Sequence, residues 1–456
     1  MQAVDSVLSM IGNTPLLELT KLDTGCCRLF VKMENQNPAG SIKDRIGLAI
    51  INAAEKDGRL KPGGTIVEAT AGNTGLGLAL VAAQKGYSSI LVIPDKMSPE
   101  KIRHLRALGA KVVLTRSDVE KGHPEYYQDL AAKIVKETPG AFFASQFDNP
   151  ANPEAHATGT GPEIWEQMGG KVDAIVAGVG SGGTISGVGK YLKSKNPRVK
   201  VVVADPVGSI IAPAVNTGEI QYNGGSWLVE GIGEDFVPEN LDLQIIDEGI
   251  VVPDKEAFQT VNDLLRVEGI LAGSSAGTLV AGALKWCRKQ TTPLNAVTFI
   301  CDTGNKYLSK AFEHGWLQEQ GLVDQEKYGD LRDLVTNRAD AGRVIYVSPL
   351  DTVNTAYNRM RANEVSQLPV IENDKILGVL DEEDVLTAAY KNREIFNRNV
   401  AEHMNANLDL VDISMGTNEL MTLFAENKVA IVMDKDQFVG MITRVDLINH
   451  LRKSVG

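Results

Sequence analysis

The first part of the chain, up to about Leu322, repeats one pattern in which a short, continuously apolar segment precedes a helical one. Parallel strands that are buried on both faces have this character. The pattern therefore predicts an α/β domain, whose ligands bind where the strands end. Gly, Pro or Asp bounds the apolar segments, which are 65–68, 90–93, 111–114, 174–177, 200–203 and 297–300.

The chain has 456 residues, which suggests two or three domains, and a net charge of -12. That charge argues against a nucleic acid or an anionic membrane as partner. Its four cysteines show neither Cys-x-x-Cys spacing nor an accompanying histidine cluster, so we expect no metal site. The sequence also lacks a signal-peptide pattern and an apolar run of membrane-spanning length, so we expect a cytoplasmic protein.

Two segments near the C-terminus, 378–386 and 440–448, resemble each other, and an apolar strand precedes each in the same register. A repeat of this size is usually one supersecondary unit that buries its apolar face against its neighbour. We therefore predict a catalytic domain over 1–322, a polar linker over 323–341 and tandem repeats over 342–456. The two repeats are expected at approximately 342–400 and 401–456.

Lys43 lies in Gly-Ser-Ile-Lys-Asp-Arg, where Ser41 is a good N-cap and an apolar helical face follows. The sequence thus places Lys43 in the first turn of a helix, where the helix dipole disfavours an ammonium. An amine of lowered pKa is suited to forming a Schiff base. On this segment alone, a solvated surface lysine is the simpler interpretation.

Two glycine-rich turns follow apolar strands and open helices. Segment 68–77 offers backbone N–H groups with Thr and Asn side chains, which suit a carboxylate, although a tight turn would also need its glycines. Segment 178–187 has the composition of a phosphate cradle. It lacks the lysine of a P-loop and the acidic partner of a dinucleotide fingerprint, so it predicts a single phosphate. In a third segment, 301–307, a hydroxyl could face a heterocyclic nitrogen, or simply cap a strand end.

Together these motifs resemble the fold-type II pyridoxal-phosphate enzymes of the cysteine synthase and cystathionine β-synthase family, which have two α/β subdomains like tryptophan synthase β. Further matching stretches are 11–16, 145–150, 230–233 and 273–277. The C-terminal repeats resemble the tandem CBS repeats, or Bateman module, that some of these enzymes carry.

The resemblance implies a role for each matched residue. Lys43 is expected to hold pyridoxal 5'-phosphate and to move the α-proton of the substrate, Asn73 to bond the ring hydroxyl, and Thr303 to face the ring nitrogen. The phosphate is expected to bind Gly180, Ser181, Gly182, Gly183 and Thr184. The amino-acid substrates are expected to bind Thr70, Gly72, Asn73, Thr74, Gln146, Glu230 and Gly231.

The implied reaction condenses L-serine, or an activated serine such as O-acetylserine, with L-homocysteine to give L-cystathionine. Glu230 is expected to pair with the amino group of homocysteine. Ala71, Phe147 and Glu234 replace hydroxyl-bearing residues of relatives, so the leaving group stays open. An O-acetylserine-dependent cysteine synthase with a regulatory tail and a catalytically silent sensor are the alternatives. The haem-binding extension of animal relatives has no counterpart, so we expect no haem.

Thr443 and Asp446 match the pattern by which such repeats bind the ribose of an adenosine-type ligand. In the first repeat Asp384 is present, but Asp381 stands in place of the hydroxyl residue. A second carboxylate there would repel a phosphorylated nucleotide and tolerate a cationic sulfonium such as S-adenosylmethionine. The second repeat is thus the better candidate site, and the resemblance implies a homodimer or homotetramer.

Overall fold

The structure is a computed structural model, in which the chain divides into two units, Met1–Val323 and Asp324–Gly456. None of the described helices has the length and apolar character needed to cross a membrane. The described residues are 3–70, 72–119, 122–222, 224–324, 328–335, 338–339, 342, 344–425 and 429–455.

The first unit alternates strands and helices, and each of the six apolar segments predicted to be strands forms one, apart from Ile300, which follows β10. The strands are β1 (Leu16–Leu19), β2 (Arg28–Lys32), β3 (Thr65–Ala69), β4 (Ser88–Pro94), β5 (Lys111–Thr115), β6 (Ala141–Phe143), β7 (Ala174–Ala177), β8 (Lys200–Pro206), β9 (Glu248–Val252) and β10 (Asn295–Phe299). The helices are α1 (Lys43–Lys56), α2 (Asn73–Lys85), α3 (Pro99–Ala107), α4 (Tyr127–Glu137), α5 (Ala151–Ala155), α6 (Gly161–Gln167), α7 (Gly183–Lys195), α8 (Ile211–Thr217), α9 (Asp254–Asp263), α10 (Ser274–Arg288) and α11 (His314–Glu319).

These strands form two sheets. The larger has the order β1-β2-β10-β7-β8-β9 and the smaller the order β5-β4-β3-β6. Every pairing is parallel except that of β1 with β2. All residues of β7 are buried, as are all but the first of β8 and β10. Burial on both faces explains why these segments are apolar throughout rather than alternating.

Helices α1 and α2 approach each other at two glycines. A Cβ atom added to Gly47 would lie 2.7 Å from the carbonyl carbon of Gly77, and one added to Gly77 would lie 2.6 Å from the carbonyl oxygen of Lys43. The two backbones are thus in direct contact, with no side chain between them. This contact brings the first residue of α1, Lys43, close to the start of α2.

The second unit contains both predicted repeats. Its elements are α12 (Val353–Asn363), β11 (Gln367–Glu372), β12 (Lys375–Asp381), α13 (Glu382–Lys391), β13 (Leu410–Asp412), α14 (Thr417–Ala425), β14 (Ala430–Asp434), β15 (Gln437–Ile442) and α15 (Arg444–Val455). In each repeat an antiparallel strand pair, β11–β12 or β14–β15, leads into a helix.

The predicted linker, 323–341, is corrected at its C-terminal half. Leu331, Leu334 and Val335 are buried and pack into the apolar core around β14 of the second repeat. The other residues of this segment are mostly polar, so its composition predicted a solvated linker rather than part of a core. The repeat module therefore begins before residue 342.

The Gly77→Ala substitution tests the contact between α1 and α2. Alanine favours a helix by about 1 kcal/mol over glycine, but its methyl group would overlap the backbone of α1. We expect a net loss of roughly 1–3 kcal/mol in the free energy of unfolding, measured by urea denaturation. Gly416→Ala is the control, because no atom lies within 4 Å of its added Cβ. An equally stable Gly77→Ala variant would contradict a tight contact.

Candidate active site

A cavity of about 280 Å³ opens where strands of both sheets end. Its wall contains Thr70 after β3, Gly178 after β7 and Cys301 after β10. The site residues predicted from sequence that line it are Lys43, Thr70, Asn73, Thr74, Gln146, Gly180, Ser181, Gly182, Thr184, Glu230 and Gly231. The structure therefore brings together residues that are far apart along the chain.

Lys43 begins α1, as predicted, although Ile42 rather than Ser41 occupies the N-cap position. Burial lowers the pKa of the Lys43 amine from its ordinary value, and the nearby Lys101 ammonium acts in the same direction. Cys301 and Asp302 oppose this shift. An amine that loses its proton readily is the form that attacks a carbonyl and accepts a proton from carbon.

The turn between β3 and α2 forms one wall of the cavity. Thr70 Oγ1 accepts a hydrogen bond of 3.0 Å from the backbone N–H of Gly72, and Thr74 Oγ1 donates one of 2.5 Å to Gln146 Oε1. Gly72 itself does not line the cavity, because it faces the side chain of Lys101. Hydroxyl, amide and helix-start groups of this kind suit a carboxylate.

Asn73 is held in one orientation by a buried polar network. Its Nδ2 donates to Asp302 Oδ2 at 2.7 Å, and its Oδ1 accepts from Lys306 Nζ at 2.9 Å. Lys306 also donates to the carbonyl oxygen of Gly40, and Tyr307 donates to Asp302. Burial lowers the pKa of Lys306 to about 8. The network leaves Asn73 little freedom to rotate.

The glycine-rich turn after β7 forms a cradle without side chains at its centre. Gly182 has φ +79°, and an added Cβ would lie 2.9 Å from the backbone of Leu241. A Cβ at Gly183, which starts α7 and does not line the cavity, would overlap the amide of Asn152. Ser181 accepts a 2.8 Å hydrogen bond from Asn152. Bare backbone at a helix start is a binding site for one phosphate.

His156 supports this cradle and was not identified from sequence. It is fully buried, and its Nε2 lies 3.2 Å from Thr184 Oγ1 while its Nδ1 lies 2.9 Å from Thr160 Oγ1. Burial, reinforced by Arg45 and Lys43, holds the pKa of His156 well below its ordinary value. A neutral imidazole thus fixes the Thr184 hydroxyl. His156 lies in none of the motifs recognised in the sequence, so its role depends on contacts that only the fold brings together.

Thr303 follows β10, where its Oγ1 accepts a hydrogen bond from the backbone N–H of Asn305 and caps a short turn. Ser275, at the start of α10, is a second hydroxyl residue and lines the cavity. That Thr303 faces the ring nitrogen stays a prediction.

Glu230, which was expected to pair with the amino group of homocysteine, forms ion pairs with two lysines of the chain. Its two carboxylate oxygens are bound by Lys101 Nζ at 2.8 Å and Lys310 Nζ at 2.7 Å. Lys101 additionally lies over the ring of Tyr307. The carboxylate is therefore already paired rather than free to receive an ammonium group, and two lysines against one glutamate leave this wall with a positive charge.

The described residues contain no group of three or more His, Cys, Asp or Glu arranged for a metal ion. Ala71, a departure noted in sequence, lies outside the described residues. In the second repeat the Thr443 backbone N–H and hydroxyl both donate to Asp446 Oδ2, at 2.8 and 2.6 Å. In the first, Asp381 caps α13 together with Asp384.

Comparison with known proteins identifies the class. The family described as pyridoxal-phosphate dependent enzyme matches residues 7–302, and CBS domains match 332–391 and 400–453. The chain therefore belongs to the pyridoxal-phosphate dependent enzymes, with the fold-type II architecture, and carries tandem CBS domains.

Individual relatives indicate the kind of enzyme more narrowly than the family match does. The chain is 35% identical to a cystathionine β-synthase of Dictyostelium discoideum, over 99% of this chain and 93% of the relative. It is 34% identical to a cystathionine β-synthase of Saccharomyces cerevisiae, over 98% of this chain and 97% of the relative. A crystal structure of a hydrogen sulfide-producing enzyme from Fusobacterium nucleatum superposes with a TM-score of 0.63 and 36% identity, covering 67% of this chain and 100% of that one.

The Glu68→Gln substitution tests whether the buried carboxyl of Glu68, on β3, has a raised pKa. Burial raises the pKa of Glu68 to about 8, and its Oε2 finds no hydrogen-bond partner among the described residues. Between about pH 4.3 and 8 the folded chain therefore keeps the Glu68 proton that the unfolded chain loses. The free energy of unfolding accordingly falls as the pH rises through this range.

Glutamine is neutral at every pH, so we expect Glu68→Gln to raise Tm relative to the unmodified chain near pH 9 and by much less near pH 5. Scanning calorimetry at both values gives the comparison, with exposed Glu219→Gln as control. A Tm difference that is independent of pH would contradict the raised pKa.

Proposed function

We propose that the protein is a cystathionine β-synthase, which condenses L-serine or an activated serine with L-homocysteine to give L-cystathionine. One observation carries this proposal: the buried, low-pKa amine of Lys43 shares a cavity with a cradle for one phosphate and a turn for a carboxylate. The names of the full-length relatives in Dictyostelium and yeast support the choice of substrates.

Different residues of the cavity bind different parts of the cofactor. The cradle of Gly180, Ser181, Gly182, Gly183 and Thr184 holds the phosphate, Lys43 attaches the cofactor and Asn73 bonds the ring hydroxyl. The fit rests on the absence of room for a Cβ at Gly182 and on the fixed orientation of Asn73. Pyridoxal phosphate, when bound, supplies an electron sink for the carbanion.

Thr303, in the segment after β10, is the residue proposed to face the ring nitrogen. Ser275, at the start of α10, lines the cavity and is the second candidate for this role. A carboxylate at this position would keep the ring nitrogen protonated and make the ring a stronger electron sink. A neutral hydroxyl would leave the ring a weaker sink, which favours prompt loss of the β-substituent.

The two amino-acid substrates bind through their carboxylates, each at a different wall of the cavity. Thr70, Thr74 and Gln146, with the start of α2, hold the carboxylate of the first amino acid. Lys43 then removes the α-proton and later returns it. The positively charged wall of Lys101, Lys310 and Glu230 suits the carboxylate of the second amino acid, since the Glu230 carboxylate is already paired. Sulfide has no such group to bind.

The protein is further proposed to be a cytoplasmic homodimer or homotetramer. All four cysteines, which lie in the described part of the chain, are free thiols. Free thiols are the usual state in a reducing compartment.

The Lys43→Ala variant tests the assignment of the site. We expect loss of the visible absorbance of the bound cofactor and a fall in turnover of at least about 10²–10⁴-fold, because both attachment and proton transfer are removed. Lys56→Ala, an exposed lysine at the end of the same helix, is the matched control.

Turnover is followed by mass spectrometry with serine or O-acetylserine plus homocysteine, and then with homocysteine and sulfide in competition. Cystathionine is the expected product. A clear preference for sulfide would indicate a cysteine synthase, and Lys43→Ala activity equal to that of Lys56→Ala would remove Lys43 from the mechanism.

We propose that the repeats bind an adenosine-type ligand at the cleft of Thr443 and Asp446. Asp446 receives both donors of Thr443, so its carboxylate is fixed at the start of α15, where it can accept hydrogen bonds from ribose hydroxyls. The first repeat has two carboxylates at the same place, and the pKa of Asp384 is raised by burial and by Asp381.

Calorimetric titration of S-adenosylmethionine, ATP and AMP into the full chain tests this site. We expect heat of binding that is lost in Asp446→Ala and kept in Asp384→Ala, since only the second repeat has the threonine–aspartate pair. No heat with any ligand would indicate that the repeats serve assembly alone. Binding retained in Asp446→Ala would place the site elsewhere.

A further inference from the structure

Glu234 presents a carboxyl group to the catalytic cavity that no step above uses. It lines the same wall as Gly231, and its carboxyl oxygens have no hydrogen bond or ion pair within the described residues. Its backbone is fixed on both sides, since Glu234 N donates to Ser209 Oγ at 3.0 Å and Ser209 Oγ donates to Glu234 O at 3.1 Å. The side chain is thus held at the cavity by a rigid segment.

The turn before Glu234 confirms this rigidity. Gly233 has φ +88°, and an added Cβ would lie 2.6 Å from Pro206 and 2.7 Å from the ring of Trp227. No larger residue fits there, so the direction of the segment is set by packing. Packing at Gly233 therefore fixes the direction of the segment that places Glu234 at the cavity.

The charges around Glu234 favour its neutral form. Burial raises the pKa of Glu234 well above its ordinary value, and Asp235 and Asp205 add to this effect. Lys96 and Lys43 oppose it. The two phenols nearby, Tyr126 and Tyr127, have raised pKa values and stay protonated. The carboxyl can thus give a proton and take one back.

The chemistry at the β-carbon requires such a group. Hydroxide is a poor leaving group, so the serine oxygen must gain a proton as the Cβ–O bond breaks, and the incoming thiol must lose one as the C–S bond forms. Lys43 already handles the proton on the α-carbon. Among the other described acids that line the cavity, Glu230 is bound by two lysines and Asp235 is exposed.

We propose that Glu234 is the catalytic acid–base for the β-substituent, an inference that rests on the proposed function. Its carboxyl proton passes to the departing oxygen as the Cβ–O bond breaks, and water leaves. The resulting carboxylate then takes the proton of the homocysteine thiol as sulfur bonds to Cβ, which restores the carboxyl. The sum is serine plus homocysteine giving cystathionine plus water.

Glu234→Gln keeps the shape of the side chain and removes its transferable proton. In stopped-flow measurements made before homocysteine is added, we expect it to slow loss of the β-substituent from serine about 10²–10⁴-fold and from β-chloroalanine far less, because chloride leaves without a proton and this half of the reaction deprotonates no thiol. Glu234→Asp should recover part of the serine activity. Glu239→Gln, an exposed residue of the same segment, is the matched control.

Two readouts separate catalysis from structure. The visible absorbance of the cofactor should be unchanged in Glu234→Gln. The infrared difference spectrum of the cofactor-free chains, unmodified minus Glu234→Gln, should contain the carbonyl band of one protonated carboxyl, because Glu68 is present in both chains and cancels. Equal losses with serine and β-chloroalanine, or no loss with serine, would overturn the inference while leaving the proposed function intact. Failure of the unmodified chain to convert either amino acid would instead refute the proposed function, and this inference with it.

Discussion

The active site depends on the direct backbone contact between α1 and α2 at Gly47 and Gly77. Each helix starts at a functional residue, Lys43 in one and Asn73 in the other. Because no side chain separates the helices, their starts lie side by side, and the nucleophilic amine meets the carboxylate-binding turn. The sheets supply the strand ends, but this contact sets the distance between the groups that act on one substrate.

Desolvation gives the buried groups of the cavity different properties according to their partners. In the part of the chain that the structure describes, neither the Lys43 amine nor the Glu234 carboxyl has a salt-bridge partner, and burial favours the neutral form of each. Glu230 is buried as well, yet Lys101 and Lys310 hold its pKa below the ordinary value. The pKa values of two glutamates four residues apart are thus shifted in opposite directions, by lysine partners in one case and by burial in the other.

The sequence was sufficient where a local pattern determines the structure. Buried parallel strands are apolar throughout, so all six were found, and the glycine-rich turns followed them as expected. Roles that depend on distant contacts were not accessible. The pairing of Glu230 with Lys101 and Lys310 joins three separate segments of the chain. Leu331 and Leu334 belong to a core that is completed only by β14.

The order of the larger sheet affects how the first unit can be assembled during synthesis. Strand β2 pairs with β1 on one side and with β10 on the other, so this sheet joins both ends of the unit. The smaller sheet, β3 to β6, is continuous in sequence and can form as soon as it leaves the ribosome. Until β10 has been translated, β2 and β7 each present an unpaired edge, and such edges are where a nascent chain is prone to aggregate.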